Sequence, residues 1–250
     1  MTELSPAGTP LISLRNIVKR YGNHHALDGL DFEIRGNEVV GLLGDNGAGK
    51  STLIRMLSGI APPTSGEVLS DGRPASLGSR AESAHIGIET IYQDIAMIGA
   101  LSIYRNMFLG RELTTQLGFL DRREMRRLTV DILRRSVEIA GIDDPDKPVS
   151  ALSGGQKQAV AIARAVHFHK RMLLLDEPTS ALSVRETENV LRYITELRST
   201  GVSCVFVTHN LYHAHQVCDR FVVLARGRKV LDAPKRDTSI EDLTRLIVAH

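Results

Sequence analysis

The stretch GLLGDNGAGKST, residues 41–52, decides the fold of this chain. It matches the pattern G-x-x-x-x-G-K-[ST] through Gly44, Gly49, Lys50 and Ser51. Glycines let the backbone N–H groups of such a loop face a phosphate, because no side chain blocks the approach. Lys50 is placed to reach the β- and γ-phosphates of a nucleotide, and the Ser51 hydroxyl is placed to ligate Mg²⁺. The loop therefore predicts a nucleotide site.

The neighbours of this loop support the same interpretation. The run EVVGLLG at 38–44 is apolar throughout and predicts a strand buried on both faces. A helix is predicted from about Lys50 to Gly59, and its N-terminus would add a positive dipole behind the phosphates. A glycine-rich turn that binds nothing is the alternative, and this strand–loop–helix context disfavours it. The residues predicted to contact the nucleotide are Gly44, Asp45, Asn46, Gly47, Ala48, Gly49, Lys50, Ser51 and Thr52.

Strand and helix patterns alternate along most of the chain. Two further apolar runs, MLLLDEP at 172–178 and SCVFVTH at 203–209, predict buried strands, with an amphipathic helix at 184–200 between them. This order predicts a parallel sheet with right-handed crossovers. Two stretches near the start, 11–22 and 26–35, predict a small antiparallel sheet. The middle of the chain is mostly helical, including a predicted helix at 122–141 that ends at a glycine.

The composition is that of a globular protein. The chain has 250 residues, of which 42% are hydrophobic and 24% charged, and its formal net charge is +2. This charge is too balanced to indicate a nucleic-acid or membrane surface. Cys204 and Cys218 lack metal-ligand spacing, so we expect both to be reduced and buried. No apolar run approaches the roughly 20 residues of a membrane helix, so action at a membrane would require docking onto a spanning partner.

The motif LLLDEP contributes two acidic residues at the end of a predicted strand. Asp176 lies where ligands gather in open parallel sheets, and its carboxylate can hold Mg²⁺ through water. Glu177 follows it and can act as the general base toward an attacking water. A solvated acidic pair is the alternative, which is disfavoured after an apolar strand in a chain that carries a phosphate loop.

The motif LSGGQ at 152–156 predicts a second anion site. Ser153 can cap a helix that begins near Gly155, and the glycines leave the first N–H groups unobstructed. Two copies associated head to tail could place the phosphate loop of one against this helix start in the other, with one nucleotide held by both. A plain capped helix is the alternative. The predicted contacts here are Ser153, Gly154, Gly155 and Gln156.

From about 11 to 232, this chain resembles the ATP-binding subunits of ABC transporters. The resemblance rests on five motifs that occur in the order found in that family: GDNGAGKST, IYQD, LSGGQ, LLLDEP and VTHN. The resemblance implies an α/β P-loop NTPase fold with a RecA-like core, an N-terminal antiparallel β subdomain and an inserted α-helical subdomain at about 95–165. It also implies a flexible tail at 1–10, a single ATP-binding domain at 11–250, and ATP with Mg²⁺ as ligands.

The resemblance assigns roles that single residues do not reveal. Tyr21 would stack on adenine, Gln93 would reach Mg²⁺ and the γ-phosphate, and His209 would contact the γ-phosphate and orient water. Each residue alone has another interpretation, as a surface ring, a solvated loop residue or a core histidine. The expected catalytic residues are thus Lys50, Glu177 and His209, and the expected metal ligands are Ser51, Gln93 and Asp176.

Three stretches, TIYQD, LSIYRNMFLGRE and PTSALSVRE, resemble most closely the subunits that drive monosaccharide importers. This implies a cytoplasmic ATPase, peripheral on the membrane through a permease, that forms a homodimer and serves a separate sugar-binding protein, with no nucleic acid. Ser183 stands where the broad family has aspartate. That position lies at the dimer interface in the family, so the resemblance does not determine how strictly ATP hydrolysis is coupled between the two sites of this chain's dimer. The alternatives are a soluble ABC ATPase of DNA repair or translation, and an ATP-binding regulator without enzyme activity.

Overall fold

The computed structural model describes residues 9–92, 96–136, 142, 144–168, 171–180 and 182–249, and of residues 135, 136 and 199 only the backbone. The chain divides into two compact units. We name them the core unit, which comprises Met1–Thr90, Lys170–Glu177 and Ile194–His250, and the helical unit, which comprises Ile91–His169 and Pro178–Tyr193. The helical insert expected at about 95–165 falls inside the helical unit. Of the expected tail, residues 1–8 lie outside the described residues.

The described strands are, in chain order, β1 (Ile12–Tyr21), β2 (His24–Ile34), β3 (Val39–Leu43), β4 (Ser65–Ser70), β5 (Arg73–Pro74), β6 (Ile88–Ile91), β7 (Met172–Asp176), β8 (Ser203–Val207), β9 (Arg220–Ala225) and β10 (Arg228–Pro234). The described helices are α1 (Lys50–Leu57), α2 (Arg80–Ile86), α3 (Ile103–Met107), α4 (Arg122–Ser136), α5 (Gly154–His167), α6 (Val184–Leu197), α7 (Leu211–Val217) and α8 (Ile240–Ala249).

The larger sheet has the strand order β10-β9-β3-β8-β7-β6. Strand β3 pairs in parallel with both β8 and β9, and β7 pairs in parallel with β8, which confirms the predicted parallel sheet. Every residue of β3 and of β8 is buried, as the apolar runs predicted. Strand β10 joins the edge antiparallel to β9. Burial on both faces explains why these strands carry continuous apolar sequence instead of alternation.

The smaller sheet is antiparallel, with the order β2-β1-β4-β5. The antiparallel pairing of β1 with β2 confirms the small antiparallel sheet predicted from the opening of the chain. Strands β4 and β5 were not predicted from the sequence. Strand β4 reads SGEVLS and buries only two of its six residues, so it lacks the apolar run or the clean alternation that marks a strand.

The helical unit has an apolar core built from α3, α4 and α5. Its buried members include Ile103, Phe108, Met125, Leu133 and Val160. Helix α4 begins where it was predicted. Its expected end at 141 lies outside the described residues, because α4 is described to Ser136.

Both cysteines are buried and free, as predicted. Burial raises the pKa of the Cys204 thiol to about 12 and raises that of Cys218 as well, so neither is an accessible thiolate. Within the described residues, none of the helices combines the length and the apolar character needed to cross a membrane.

Candidate nucleotide-binding site

In the core unit, the residues expected to contact phosphate lie at one edge of the larger sheet. Strands β3 and β7 lie on either side of β8 and run parallel to it. Their carboxyl ends therefore meet at the same edge, which is where ligands bind in open α/β sheets. The phosphate loop follows β3, the acidic pair ends β7, and His209 follows β8.

The phosphate loop needs its glycines for close packing as well as for phosphate approach. Gly49 caps α1 with a φ of 108°, and a Cβ at this position would lie 2.8 Å from the carbonyl oxygen of Ala26. At Gly44, a Cβ would lie 2.3 Å from the carbonyl oxygen of Leu224. Larger residues at either position would force the backbone of the loop to shift.

Lys50 turns its amine back into the phosphate loop. The Nζ donates hydrogen bonds to the carbonyl oxygens of Gly44 at 2.7 Å and Asp45 at 2.9 Å. Burial lowers the pKa of Lys50, and the charges of Glu177, Asp45 and Asp176 oppose that change. The ammonium is thus held by weak carbonyl acceptors, which an anionic phosphate can replace.

The residues expected to hold Mg²⁺ fit that ion by chemistry. Ser51 is exposed in the first turn of α1, and Asp176 is the half-buried last residue of β7. Burial raises the pKa of Asp176, as does the adjacent Glu177, while Lys50 and Arg55 oppose the rise. Mg²⁺ in nucleotide sites takes one or two protein oxygens plus the phosphates of the substrate, which is the donor set offered here. Gln93, the third expected ligand, lies outside the described residues.

Glu177 and His209 meet although they are far apart in sequence. The Nδ1 of His209 lies 3.0 Å from the Oε1 of Glu177. The backbone of Glu177 is in the left-handed region at a φ of 50°, and its N–H donates to the Val207 carbonyl oxygen at 3.0 Å. The carboxylate is largely shielded, with its side chain 19% exposed, whereas the imidazole is 78% exposed. An oriented carboxylate beside an accessible imidazole suits proton abstraction from a bound water.

Tyr21 ends β1, opposite His24 on β2. The residue is 48% exposed, and the Nζ of Lys19 lies 5.2 Å from the centre of its ring. The ring therefore offers an accessible aromatic surface of the kind on which a base can stack.

The helical unit carries the LSGGQ motif at the start of α5. The Ser153 Oγ accepts from the Gln156 N–H at 3.3 Å, and the Gln156 Oε1 accepts from the Ser153 N–H at 3.0 Å. These two bonds form a capping box, so the predicted cap at Ser153 is confirmed. Ser153 and Gly154 are exposed, whereas Gly155 is buried.

Residues 27–180 match the family model described as ABC transporter. This chain belongs to the ABC transporter ATP-binding family. The resemblance stated from the motifs is thereby confirmed. Relatives of this chain are named as import ATP-binding proteins.

The chain is 43% identical to the xylose/arabinose import ATP-binding protein of Sulfolobus acidocaldarius, over 96% of this chain and 94% of that protein. It is 38% identical to the fructose import ATP-binding protein of Rhizobium meliloti, over 94% and 93%. It is 41% identical to a ribose import ATP-binding protein of Rubrobacter xylanophilus over 96% of this chain, and it spans 47% of that protein's length.

Solved ABC cassettes share the fold. An ATP-binding cassette of an ABC transporter in its ADP conformation superposes with a TM-score of 0.80 at 22% identity, over 96% of this chain and 95% of that one. A dimeric cassette bound to ADP and Pi in a post-hydrolysis state has a TM-score of 0.74 at 26% identity, over 90% and 99%. The predicted α/β P-loop NTPase fold is confirmed.

One residue of this ABC cassette was missed by the sequence analysis. Glu186, in the first turn of α6, accepts at Oε1 from the Gly155 N–H at 3.2 Å. Its signal was present as Ser183-x-x-Glu186, a capping-box pattern. That pattern marks the start of α6, and it does not indicate that the same carboxylate also contacts the LSGGQ motif.

Proposed function

We propose that this chain is the ATP-hydrolysing subunit of an importer of monosaccharides, and that two copies hold ATP between them. The contact between Glu177 and His209, at the sheet edge that also carries Lys50, is the observation on which the proposal rests. This arrangement offers phosphate binding and water activation at one place. A module that only binds nucleotide needs the first and not the second.

The expected residues divide the chemistry among them. The ammonium of Lys50 exchanges its carbonyl acceptors for the β- and γ-phosphate oxygens of ATP. The carboxylate of Glu177 accepts the proton of the attacking water, and the imidazole of His209 keeps that carboxylate oriented and contacts the γ-phosphate. Mg²⁺, held by the Ser51 hydroxyl and Asp176 and by Gln93, would supply charge neutralisation at the phosphates. Such catalysis is mostly positioning and electrostatic stabilisation.

The LSGGQ motif supports the second half of the proposal. The start of α5 offers the hydroxyl of Ser153 and the N–H of Gly155 as donors, with the positive end of the helix behind them. In a head-to-tail pair, these donors would contact the ATP held by the phosphate loop of the other copy. The dimeric cassette with ADP and Pi is consistent with such pairing.

The relatives support the transport role and the class of substrate. Proteins named for import of xylose or arabinose, fructose, and ribose are 38–43% identical to this chain. A permease and a separate sugar-binding protein would complete the transporter, and the chain would act in the cytoplasm, attached to the membrane through the permease. Selection of the sugar would belong to those partners.

The two alternatives are less well supported. The import names of the relatives disfavour a soluble ATPase of DNA repair or translation. The Glu177–His209 pair disfavours a regulator that binds ATP without hydrolysing it. DNA binding that weakens steeply with salt would revive the first alternative.

The test is sugar uptake in a strain of the source organism that lacks this chain. The deletion should lower uptake of at least one of labelled xylose, arabinose, ribose and fructose, and the wild-type chain should restore it. The variant Glu177→Gln, made at equal abundance, should not restore it. Purified wild-type protein should release phosphate from ATP in the presence of Mg²⁺.

If the deletion leaves the uptake of all four sugars unchanged, the sugar-import role is contradicted. The assignment of ATPase activity would still stand. Absence of phosphate release from the folded protein, alone and in its transporter, would contradict the enzyme assignment.

A further inference from the structure

The start of α5 already binds an anion within the same chain. The Oε1 of Glu186 accepts from the Gly155 N–H at 3.2 Å, and the Ser153 side chain helps to lower the pKa of the Glu186 carboxyl group. The Gly155 N–H is one of the donors that the proposed function assigns to the ATP of a second copy. The four-residue stretch Ser153–Gln156, which we call the signature turn, therefore meets a carboxylate before it can meet a phosphate.

The close fit between Gly155 and Glu186 explains why a glycine stands here. A Cβ on residue 155 would lie 2.8 Å from the Cβ and 2.9 Å from the Cγ of Glu186. Cβ atoms do not approach carbon atoms so closely, so any other residue would displace Glu186 from the turn. The second glycine of LSGGQ is thus needed for the contact with Glu186 in the same chain, as well as for the close approach of a phosphate to the backbone.

Ser183 completes the arrangement. Its backbone N–H and its Oγ both donate to the Glu186 Oε2, at 3.0 and 2.8 Å. The Ser153 side chain, the hydroxyl and N–H of Ser183 and the N–H of Gly155 lower the pKa of Glu186 to about 2, so the group is a carboxylate at neutral pH. An aspartate at position 183 would set a second negative charge beside it. The serine that departs from the broad family pattern therefore supplies a side-chain donor to Glu186, which an ionised aspartate could not do.

The carboxylate and a γ-phosphate cannot both occupy the signature turn. One N–H makes one strong hydrogen bond, and two anions at this distance repel each other. The carboxylate must leave Gly155 before the phosphate of a second copy can be bound there. Glu186 is only partly buried, so its side chain has room to rotate toward solvent while its helix stays in place.

We propose that Glu186 is a positioning residue that holds the Gly155 N–H of the signature turn until the γ-phosphate of ATP bound to a second copy displaces it. The inference rests on the proposed sharing of ATP between two copies. Before displacement, Glu186 keeps the Gly155 N–H aimed at an anion. Breaking this contact opposes closure of the pair, and the new contacts with the γ-phosphate must offset that cost.

The experiment measures ATP-driven dimerisation in the hydrolysis-deficient parent Glu177→Gln. Sedimentation measures the solution mass of the parent as ATP is added with Mg²⁺. The same titration is then made with the double variant that carries both Glu177→Gln and Glu186→Gln. The amide keeps the size of the side chain and can still accept a bond, but it lacks the charge that competes with phosphate. We expect the ATP concentration at half-maximal dimerisation to fall roughly three- to tenfold in the double variant. The reason is that the phosphate then displaces a neutral acceptor instead of a charge-assisted hydrogen bond at a partly exposed site.

The chain offers a matched control in Asp242. Its Oδ2 accepts from the Ser239 N–H at 3.2 Å and from the Ser239 Oγ at 2.6 Å, in the first turn of α8. Asp242→Asn therefore removes one negative charge and one capping carboxylate without touching the signature turn. It should lower the melting temperature as Glu186→Gln does, and it should leave the ATP dependence of the mass unchanged. ATP affinity at protein concentrations too low for dimerisation should be the same in all three proteins.

The outcomes separate this inference from the function on which it rests. A parent that dimerises with ATP, and a Glu186→Gln variant that needs as much ATP or more, would overturn the displacement and leave the shared ATP intact. A parent that binds ATP and never dimerises, alone or with its permease, would overturn both.

Discussion

The Nδ1 of His209 lies 3.0 Å from the Oε1 of Glu177, although the two residues are 32 positions apart in the chain. The contact forms because β7 and β8 are parallel neighbours, so the residues that follow both strands emerge at the same edge. The left-handed backbone of Glu177 and its N–H bond to Val207 fix where the carboxylate points. A carboxylate held at a strand end in this way would need little rearrangement to accept a proton from water, as the proposed role of Glu177 requires.

Glu177→Gln should preserve ATP binding and lower turnover by roughly 10²–10⁴-fold, because an amide cannot accept the proton of the attacking water. Phosphate release and equilibrium ATP binding measure the two effects. Glu241→Gln, an exposed acid in the first turn of α8, is the charge-matched control and should keep full turnover. Wild-type turnover in Glu177→Gln would remove Glu177 from the role of base.

His209→Ala should lower turnover by roughly 10–10²-fold, since it leaves the base in place without its orienting partner. The informative comparison is the double variant with Glu177→Gln. Residues that act as a unit are not additive, so we expect the double variant to be no slower than Glu177→Gln alone. Fully multiplicative losses would show that the two side chains act independently.

Lys50→Ala should weaken ATP binding by roughly 10–100-fold, because the variant loses charge-assisted hydrogen bonds to phosphate. Titration calorimetry with ATP and Mg²⁺ measures the change. Lys229→Ala serves as the control, because the Nζ of Lys229 pairs with Asp232 on the same strand, β10. Equal affinity in Lys50→Ala and Lys229→Ala would contradict the contact between Lys50 and phosphate.

Tyr21→Ala should weaken ATP binding by roughly 5- to 100-fold, the range that loss of one base–aromatic stack gives. Tyr21→Phe keeps the aromatic face and should bind ATP as the wild type does. If Phe and Ala at this position weaken binding equally, the hydroxyl and not the ring is the contact.

Asp176→Asn should stabilise the nucleotide-free chain and abolish its Mg²⁺-dependent binding of ATP. Burial and the adjacent Glu177 raise the pKa of Asp176 above the ordinary 3.8, so the ionised form is disfavoured in the folded state. That cost is fully present above the raised pKa and vanishes as the pH falls to the ordinary value. The melting temperature of Asp176→Asn should therefore exceed that of the wild type at neutral pH, and the gain should shrink in acid. A lower melting temperature at neutral pH would contradict the argument.

Much of the core unit could be predicted because its signals are local. The continuous apolar runs at β3, β7 and β8 mark strands buried on both faces, and the residues that follow each strand are those predicted to act on the nucleotide. Strands β4 and β5 could not be predicted in the same way. They owe their place to hydrogen bonding with β1, since their own sequences are short, polar and rich in serine and glycine.

The family and the order of the motifs follow from the sequence alone, and so does the prediction of which residues contact ATP, because each motif is a short run whose spacing is set by backbone geometry. The tertiary structure alone decided that His209 meets Glu177 and that Glu186 reaches Gly155. These contacts join residues 32 and 31 positions apart, on elements that only packing brings together. A hydrogen bond between such residues leaves no periodicity in the sequence, and a capping pattern such as Ser183-x-x-Glu186 is satisfied locally whether or not its carboxylate also binds a second helix.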